Sequence, residues 1–398
     1  MKKVLRCSAW VLCALLSAVS AARAQEKVKI GFITDMSSLY ADLEGKNGAL
    51  AIQMAIDDFG GKALGQPVEL ITADHQNKAD IAASKAREWI DTQNLTLLFS
   101  GTNSGAALAM AKVAQEKKRV FMVNGAGASA LTNEQCSPYT VHYAYDTVAL
   151  AKGTGAAVVE RGGKSWFFLT ADYAFGQALQ DDTARVVKEK GGTVVGTVKH
   201  PLNASDFSSF LLQAQNSGAQ VLGLANGGGD MINAIKAAGG FGINKSMKIA
   251  GLLVFVTDIH SLGLKNTEGL LHTVSWYWDM NDNARKWAVR FFEKTKRMPT
   301  DIQAADYSAT MSYLKAVQAA GSTNADKVMA KLKSMKIDDF YGKGYIRADG
   351  RYVHDMYLAE VKAPAESKQP WDYLKILTTL PGEQVFTTKA ESKCALWK

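Results

Sequence analysis

Two short stretches carry residues suited to holding an anion. In FSGTNSGAALAM, Phe99 to Met110, an apolar run ends, five small or polar residues follow, and an alanine-rich helical segment begins. This spacing predicts a strand end running into a helix start near Ser104, where unpaired backbone N–H groups and the positive end of the helix dipole favour negative charge. Ser104 adds a hydroxyl, with Asn103 beside it. The same residues also suit an ordinary helix cap, in which Asn103 or Ser104 bonds its own helix. The second stretch, VNGAGASALT, Val123 to Thr132, repeats the arrangement: Gly125 and Gly127, with Ala126 between them, leave the backbone free for close approach. Two such strand ends in succession point to a ligand cradle.

Nothing nearby supplies catalysis. The first strand is followed by DMSSLYADLEGKNG, not by the tight GxGxxG turn of a dinucleotide site, and GGFGINKS lacks the glycine before lysine of a phosphate loop. There is no GxSxG elbow and no HExxH pair. The histidines (His75, His142, His200, His260, His272, His354) are scattered and read as structural or surface groups. No cofactor and no metal are expected, and the reading is capture, not chemistry.

The elements that position the cradle alternate. VKIGFIT (Val28 to Thr34) reads as a strand and GALAIQMAIDDF as a helix with Ala49, Ile52, Ile56 and Phe59 on one face. PVELITAD, LTLLFSG and RVFMVNG follow as strands, separated by the DIAASKAREWIDT helix and the helix opening at Ser104. After a polar segment the rhythm restarts with an ALAKGTGAAVVERG helix. SWFFLTAD, TVVGTVKH, VLGLAN and MKIAGLLVF then follow as strands with helices between them. Such alternation predicts α/β architecture, parallel sheets flanked by helices in each of two lobes, with ligand beyond the carboxyl ends of the strands.

The first 24 residues, MKKVLRCSAWVLCALLSAVSAARA, read as a cleaved secretory leader: Lys2, Lys3 and Arg6 precede an apolar run that ends in small residues, with Ala22 and Ala24 where a signal peptidase reads. The run is shorter than the roughly 20 residues that span a bilayer. Cleavage near Ala24 takes the net charge from +8 to +4, with both signs interspersed, so nucleic acid is not an expected partner. It also removes Cys7 and Cys13. Cys136 and Cys394 remain, an even number in an oxidising compartment, and a disulfide is the economical reading against two buried thiols. No second Cys or His stands at ligand spacing from either one. The remaining length of about 374 residues exceeds one core and implies two domains, and the lack of a clear linker implies that the chain crosses between them more than once.

VKIGFITDMSSLYAD, GALAIQMAIDDFGGKALGQPVELITAD, VFMVNGAGASALTNEQCSPYTVH, TADYAFG and ANGGGDMINAIKAAGGFGI, in this order and spacing, resemble the type I periplasmic binding proteins of the branched-chain amino acid (leucine-binding) class. These serve ABC importers. The resemblance runs from about Lys27 to the end. It implies a monomer in the periplasm with two α/β lobes and three crossovers near Tyr145, Trp278 and Asp355. Residues 26–145 plus 279–354 would form the first lobe and 146–278 plus 355–398 the second, with a permease and its ATPase as partners. Position by position, Ser104 matches the serine that holds a ligand carboxylate. Gly125 and Gly127 match the positions that supply a carbonyl to a ligand ammonium and N–H or hydroxyl groups to its head. Tyr40 matches an aromatic wall and Tyr173 a closing aromatic; Asn226 and Phe255 lie at strand ends lining the other side.

The departures narrow the ligand. Gly127 stands where amino-acid binders often carry threonine, and Leu252, Leu253 and Val254 stand where leucine binders place a carboxylate for the ammonium. A buried ammonium without a counter-charge is poorly matched. The expected ligand is therefore a carboxylate without an α-amino group, in line with the aromatic-acid subset of the family (benzoate or hydroxycinnamate derivatives). Asp172 or Asp230 remains as an alternative source of charge, although Asp230 also suits a helix cap. A branched-chain amino acid and a sensory role are the other readings. Trp276 and Trp278 of SWYWD serve either hinge packing or stacking on an aromatic ligand.

Overall fold

The computed structural model describes residues 27–398; the leader segment, residues 1–24, lies outside them. The first half of the chain gives β1 (Val28–Thr34), α1 (Gly45–Asp58), β2 (Lys62–Ala63), β3 (Gln66–Asp74), α2 (Ala79–Thr92), β4 (Leu97–Ser100), α3 (Ser104–Glu116), β5 (Val120–Val123) and β6 (Thr140–His142). These strands form one sheet, β2-β3-β1-β4-β5-β6, parallel except for the short β2 at its edge. Helices cover both faces, so the central strands are apolar throughout, as in the fully buried VFMV of β5. A Cβ at Gly31 of β1 would lie 2.7 Å from Leu95 and 2.8 Å from Trp89. Gly31 therefore lets α2 and its exit loop press directly onto the sheet.

A second sheet follows in the same manner. The chain runs helically through α4 (Thr147–Leu150), a π-helical segment at Ala151–Gly155 and α5 (Ala156–Glu160). It continues through β7 (Ser165–Ala171), α6 (Ala174–Glu189), β8 (Thr193–His200), α7 (Ser208–Asn216), β9 (Val221–Ala225), α8 (Gly228–Gly240), β10 (Lys248–Gly251), α9 (Val256–Leu262) and β11 (Leu271–Val274). The parallel strand order is β10-β9-β7-β8. The chain then returns to the first sheet's side with α10 (Asp282–Thr295), α11 (Asp301–Ala320), α12 (Ala325–Ser334), β12 (Lys336–Asp338), β13 (Lys343–Ile346) and β14 (Tyr352–His354). It ends with β15 (Met356–Val361), which pairs with β11, and β16 (Leu374–Leu380), which pairs with β15. The result is a two-lobed α/β fold with parallel sheets flanked by helices.

The segments between the sheets are tied by buried polar groups. The Arg351 guanidinium donates to the carbonyls of Tyr143, Ala144 (2.8 Å) and Tyr145 (3.1 Å), and Asp301 accepts from Ser275 Oγ at 2.7 Å. Trp276 and Trp278 pack here, their indole N–H groups donating to the carbonyls of Phe340 and Trp371. Cys136 and Cys394 are bonded across 258 residues of sequence. Two boundaries differ from expectation. Helix α1 starts at Gly45, ahead of the first apolar residue that marks its period, and β10 stops at Gly251, since Leu252–Phe255 already turn into α9 with the Phe255 N–H bonded to Asp258 at 3.0 Å.

Candidate functional site

The carboxyl ends of β1, β4 and β5 meet at one place. Gly101 and Gly125 make this possible: a Cβ on Gly101 would sit 1.8 Å from Glu44 Oε2, and one on Gly125 would sit 2.8 Å from the Thr102 nitrogen. The two strand-end loops are thus in main-chain contact. Asn103 turns the first loop into α3 with φ +74°, a conformation asparagine tolerates better than most residues, and its Oδ1 accepts the Ala106 N–H at 3.0 Å. Asn103 is therefore the helix cap. The Ser104 hydroxyl takes no part in that cap; its Oγ accepts the Ala128 N–H at 3.1 Å, which leaves its own O–H to donate. The N–H groups of Ser104 and Gly105, in the first turn of α3, have no intrahelical acceptor.

Carbonyls around this point are consumed within the protein. The Ser100 and Asn103 carbonyls accept from Asn124 N and Ala107 N, and that of Thr102 from His75 Nε2 at 3.0 Å. In the second loop the Gly125 carbonyl accepts the Tyr145 hydroxyl at 2.8 Å, Ala126 accepts His142 Nε2 at 2.7 Å, and Gly127 accepts Thr147 N at 2.9 Å. Burial pulls the His75 and His142 imidazoles below their ordinary range, with the nearby Arg351 adding to the effect at His142. Both are neutral and donate from Nε2. The cradle offers donors and few acceptors.

A narrow cleft lies beside these groups, about 280 Å³ when the solvent at its open mouth is counted, lined by Tyr40, Leu43, Thr102, Asn103, Ser104, Gly125, Tyr145, Tyr173, Phe175, Gly227 and Leu253. A larger hollow of about 1920 Å³ lies away from it, on the surface among residues such as Lys27, Glu69, Arg119 and Asp326, where the side chains are in ordinary ion pairs such as Lys29–Glu69. The strand-end cavity is the one with convergent chemistry. The Tyr40 and Tyr173 hydroxyls meet at 2.8 Å across the cleft, and burial pushes both phenols above their ordinary range, so they stay protonated. Tyr40 also lies against Gly228, where a Cβ would be 3.0 Å from its ring.

Of the nine binding residues expected from sequence, five line this cavity: Tyr40, Asn103, Ser104, Gly125 and Tyr173. Gly127 and Ala126 stand just behind it. A Cβ at Gly127 would lie 2.8 Å from the Tyr145 ring and 3.0 Å from the Phe175 ring, so aromatic edges fill the space of a side chain there. Asn226 does not line it; its Nδ2 is paired with His200 at 3.1 Å. Phe255 packs on Tyr145 at 6.2 Å between ring centroids, and Leu253 takes its place in the wall. Asp230 is not the cap of α8, which Gly227 provides; its carboxylate accepts the Asn203 and Ala204 N–H groups. Asp172 is paired with Lys199 on the surface. Neither acid lines the cavity. Trp276 and Trp278 do not either; Trp276 packs on Trp287 and Phe340, and Trp278 on Tyr277. Thr102, Leu43, Tyr145, Phe175 and Gly227 were not anticipated as binding residues; of these, Phe175 within the TADYAFG stretch was the most legible.

Behind Thr102 lies a carboxyl pair. Glu44 Oε2 accepts the Thr34 hydroxyl at 2.7 Å and the Thr102 N–H at 2.8 Å, and Asp306 Oδ1 accepts from Asn124 at 2.7 Å. Their remaining oxygens, Glu44 Oε1 and Asp306 Oδ2, are buried without a hydrogen-bond partner. Two neighbouring buried carboxyls favour the neutral form of at least one of them. Burial raises Glu44 to about 7, and burial plus the Glu44 charge raises Asp306 well above the ordinary carboxylate range. Among the described residues no cluster of His, Cys, Asp and Glu is suited to a metal ion, and no helix is long and apolar enough to cross a membrane.

A family model described as periplasmic binding protein matches residues 27–369. Among solved structures, the chain is similar to a periplasmic binding protein from Burkholderia mallei, at 68% identity and TM-score 0.93, over 94% of this chain and all of that one. A branched chain amino acid ABC transporter periplasmic ligand-binding protein from Burkholderia xenovorans LB400 is 42% identical, with TM-score 0.83 over 94% of this chain and all of that one. A solute binding protein of an ABC transporter from Rhodopseudomonas palustris HaA2, in complex with p-hydroxybenzoic acid, shares the fold at 24% identity and TM-score 0.81, over 89% and 97% of the two chains.

Proposed function

We propose that this chain, which belongs to the periplasmic binding protein family, is the solute-binding component of an ABC importer that captures a small monocarboxylate, an aromatic acid above all. The observation that carries this reading is the donor-rich cradle. Ser104 O–H and the first N–H groups of α3 converge on the cavity, while the Gly125, Ala126 and Gly127 carbonyls are occupied and no acidic side chain lines the wall. A carboxylate there gains charge-assisted hydrogen bonds; an ammonium would be buried without a counter-charge. The rings of Tyr40, Tyr145, Tyr173 and Phe175 around a small cavity support an aromatic body.

In this reading residues 26–145 plus 279–354 form the lobe that receives the carboxylate, and residues 146–278 plus 355–398 the lobe that closes over it. Ligand contacts to both lobes bias the hinge toward the closed form, with Tyr173 against Tyr40, and the closed form docks on the permease and its ATPase at the inner membrane. The protein works as a monomer delivered to the periplasm by its leader. The 42%-identical protein described as a branched chain amino acid transporter component favours a second reading, in which leucine or a relative is the ligand. Calorimetric titration of refolded, ligand-free protein with 4-hydroxybenzoate, 4-coumarate and leucine separates them. Binding of an aromatic acid without leucine is the expected result; binding of leucine alone would overturn the aromatic-acid reading.

A further inference from the structure

We propose that Tyr145 is the specificity-determining residue of the cleft, excluding ligands with an α-ammonium group by occupying the acceptor such a group would need. This rests on the carboxylate reading of the same site. Tyr145 lies in the irregular segment between β6 and α4, and its ring turns into the cavity wall. Its hydroxyl donates to the Gly125 carbonyl at 2.8 Å, the main-chain acceptor of this loop that lines the cavity. Its ring edge also lies where a side chain on Gly127 would be, since a Cβ there would come within 2.8 Å. One residue thus removes an acceptor and the room for a second polar group.

The position is held firmly. The Tyr145 carbonyl accepts from Arg351, and its ring packs on Phe255. The remaining carbonyls of the loop are taken by groups that lie behind the cavity, His142 Nε2 and Thr147 N, so Tyr145 is the masking donor that itself faces the ligand. Replacing the hydroxyl with hydrogen keeps the ring and leaves a buried carbonyl without its donor. A ligand ammonium then finds a partner there, while a plain acid gains nothing.

The test uses 3-phenylpropionate and phenylalanine, which differ by one α-amino group, titrated calorimetrically into ligand-free wild-type protein and Tyr145→Phe. The ratio of the phenylalanine Kd to the 3-phenylpropionate Kd is expected to fall by ~10-fold or more in the variant, mainly through tighter phenylalanine binding. Tyr145→Met, which fills the volume without a donor, gives the same readout should Tyr145→Phe fail to fold. Leu212→Ala, at an exposed position outside the cavity, should leave the ratio where it is. Preference for the acid in wild type with an unchanged ratio in the Tyr145 variants overturns this inference alone. Preference for phenylalanine in wild type overturns the carboxylate reading beneath it.

Discussion

The two walls of the cleft are built differently. The wall on the β1 sheet is main chain held in place by hydrogen bonds: Asn103 capping α3, Ser104 bridging to Ala128, Glu44 fastening Thr102, and masked carbonyls around them. The opposite wall is Tyr173, Phe175, Gly227 and Leu253, rings and aliphatic surface with one hydroxyl among their side chains. Directional groups fixed before binding select and orient a ligand's charged end, whereas apolar surface rewards closure without demanding a geometry. The contrast implies a division of labour, in which one lobe chooses the functional group and the other sets size and shape.

Substitutions on each wall can break that contrast. Ser104→Ala should have the largest effect, removing a charge-assisted hydrogen bond of about 2 kcal/mol and weakening carboxylate binding ~30-fold by calorimetry, with a similar loss for every acid tested. A loss confined to one acid would count against Ser104 as the carboxylate donor. Tyr173→Phe removes a neutral hydroxyl contact across the cleft, and a loss of ~5-fold is expected, about 1 kcal/mol, with the closed fraction in small-angle scattering reduced at a given ligand concentration.

Glu44→Gln should act mainly on stability and its pH dependence. A carboxyl raised from 4.5 to about 7 holds its proton longer in the folded chain than in the unfolded one. The folded chain therefore binds more protons across that window, and this group's contribution to stability falls as pH rises through it. Buried His272 and His354, both lowered to about 4, act with the opposite sign below about pH 6.5, so the comparison is wild type against variant. The melting-temperature deficit of Glu44→Gln should be larger at pH 5.5 than at pH 8; a deficit independent of pH would contradict a Glu44 carboxyl that keeps its proton in the folded chain.

Much of the fold was legible because strands buried on both faces are short apolar runs, and helices between them carry apolar periodicity. VKIGFIT, SWFFLTAD and the helix opening at Ser104 are cases in point. The β11-β15-β16 and β12-β13-β14 sheets were not read in advance, since strands of three to seven residues give little period to detect. Within the site, residues whose chemistry is local could be found: Ser104 and Asn103 follow from a strand-to-helix junction. Tyr145 could not, because its role depends on a hydroxyl reaching a carbonyl 20 residues earlier in the chain. Asn226 follows the end of β9 as expected, whereas Phe255 lies beyond β10 at the cap of α9; their side chains turn to His200 and Tyr145, a choice made by packing that no spacing encodes.

The central claim is that the cleft offers donors to a carboxylate and few acceptors to anything else. It is tested most directly by titrating ligand-free protein with 4-hydroxybenzoate and with 4-hydroxybenzamide, which keep one ring and one hydroxyl while an oxygen is exchanged for an N–H donor and the charge is lost. The account predicts that the acid binds ~100-fold more tightly or better. Equal affinities, or a preference for the amide, would contradict it.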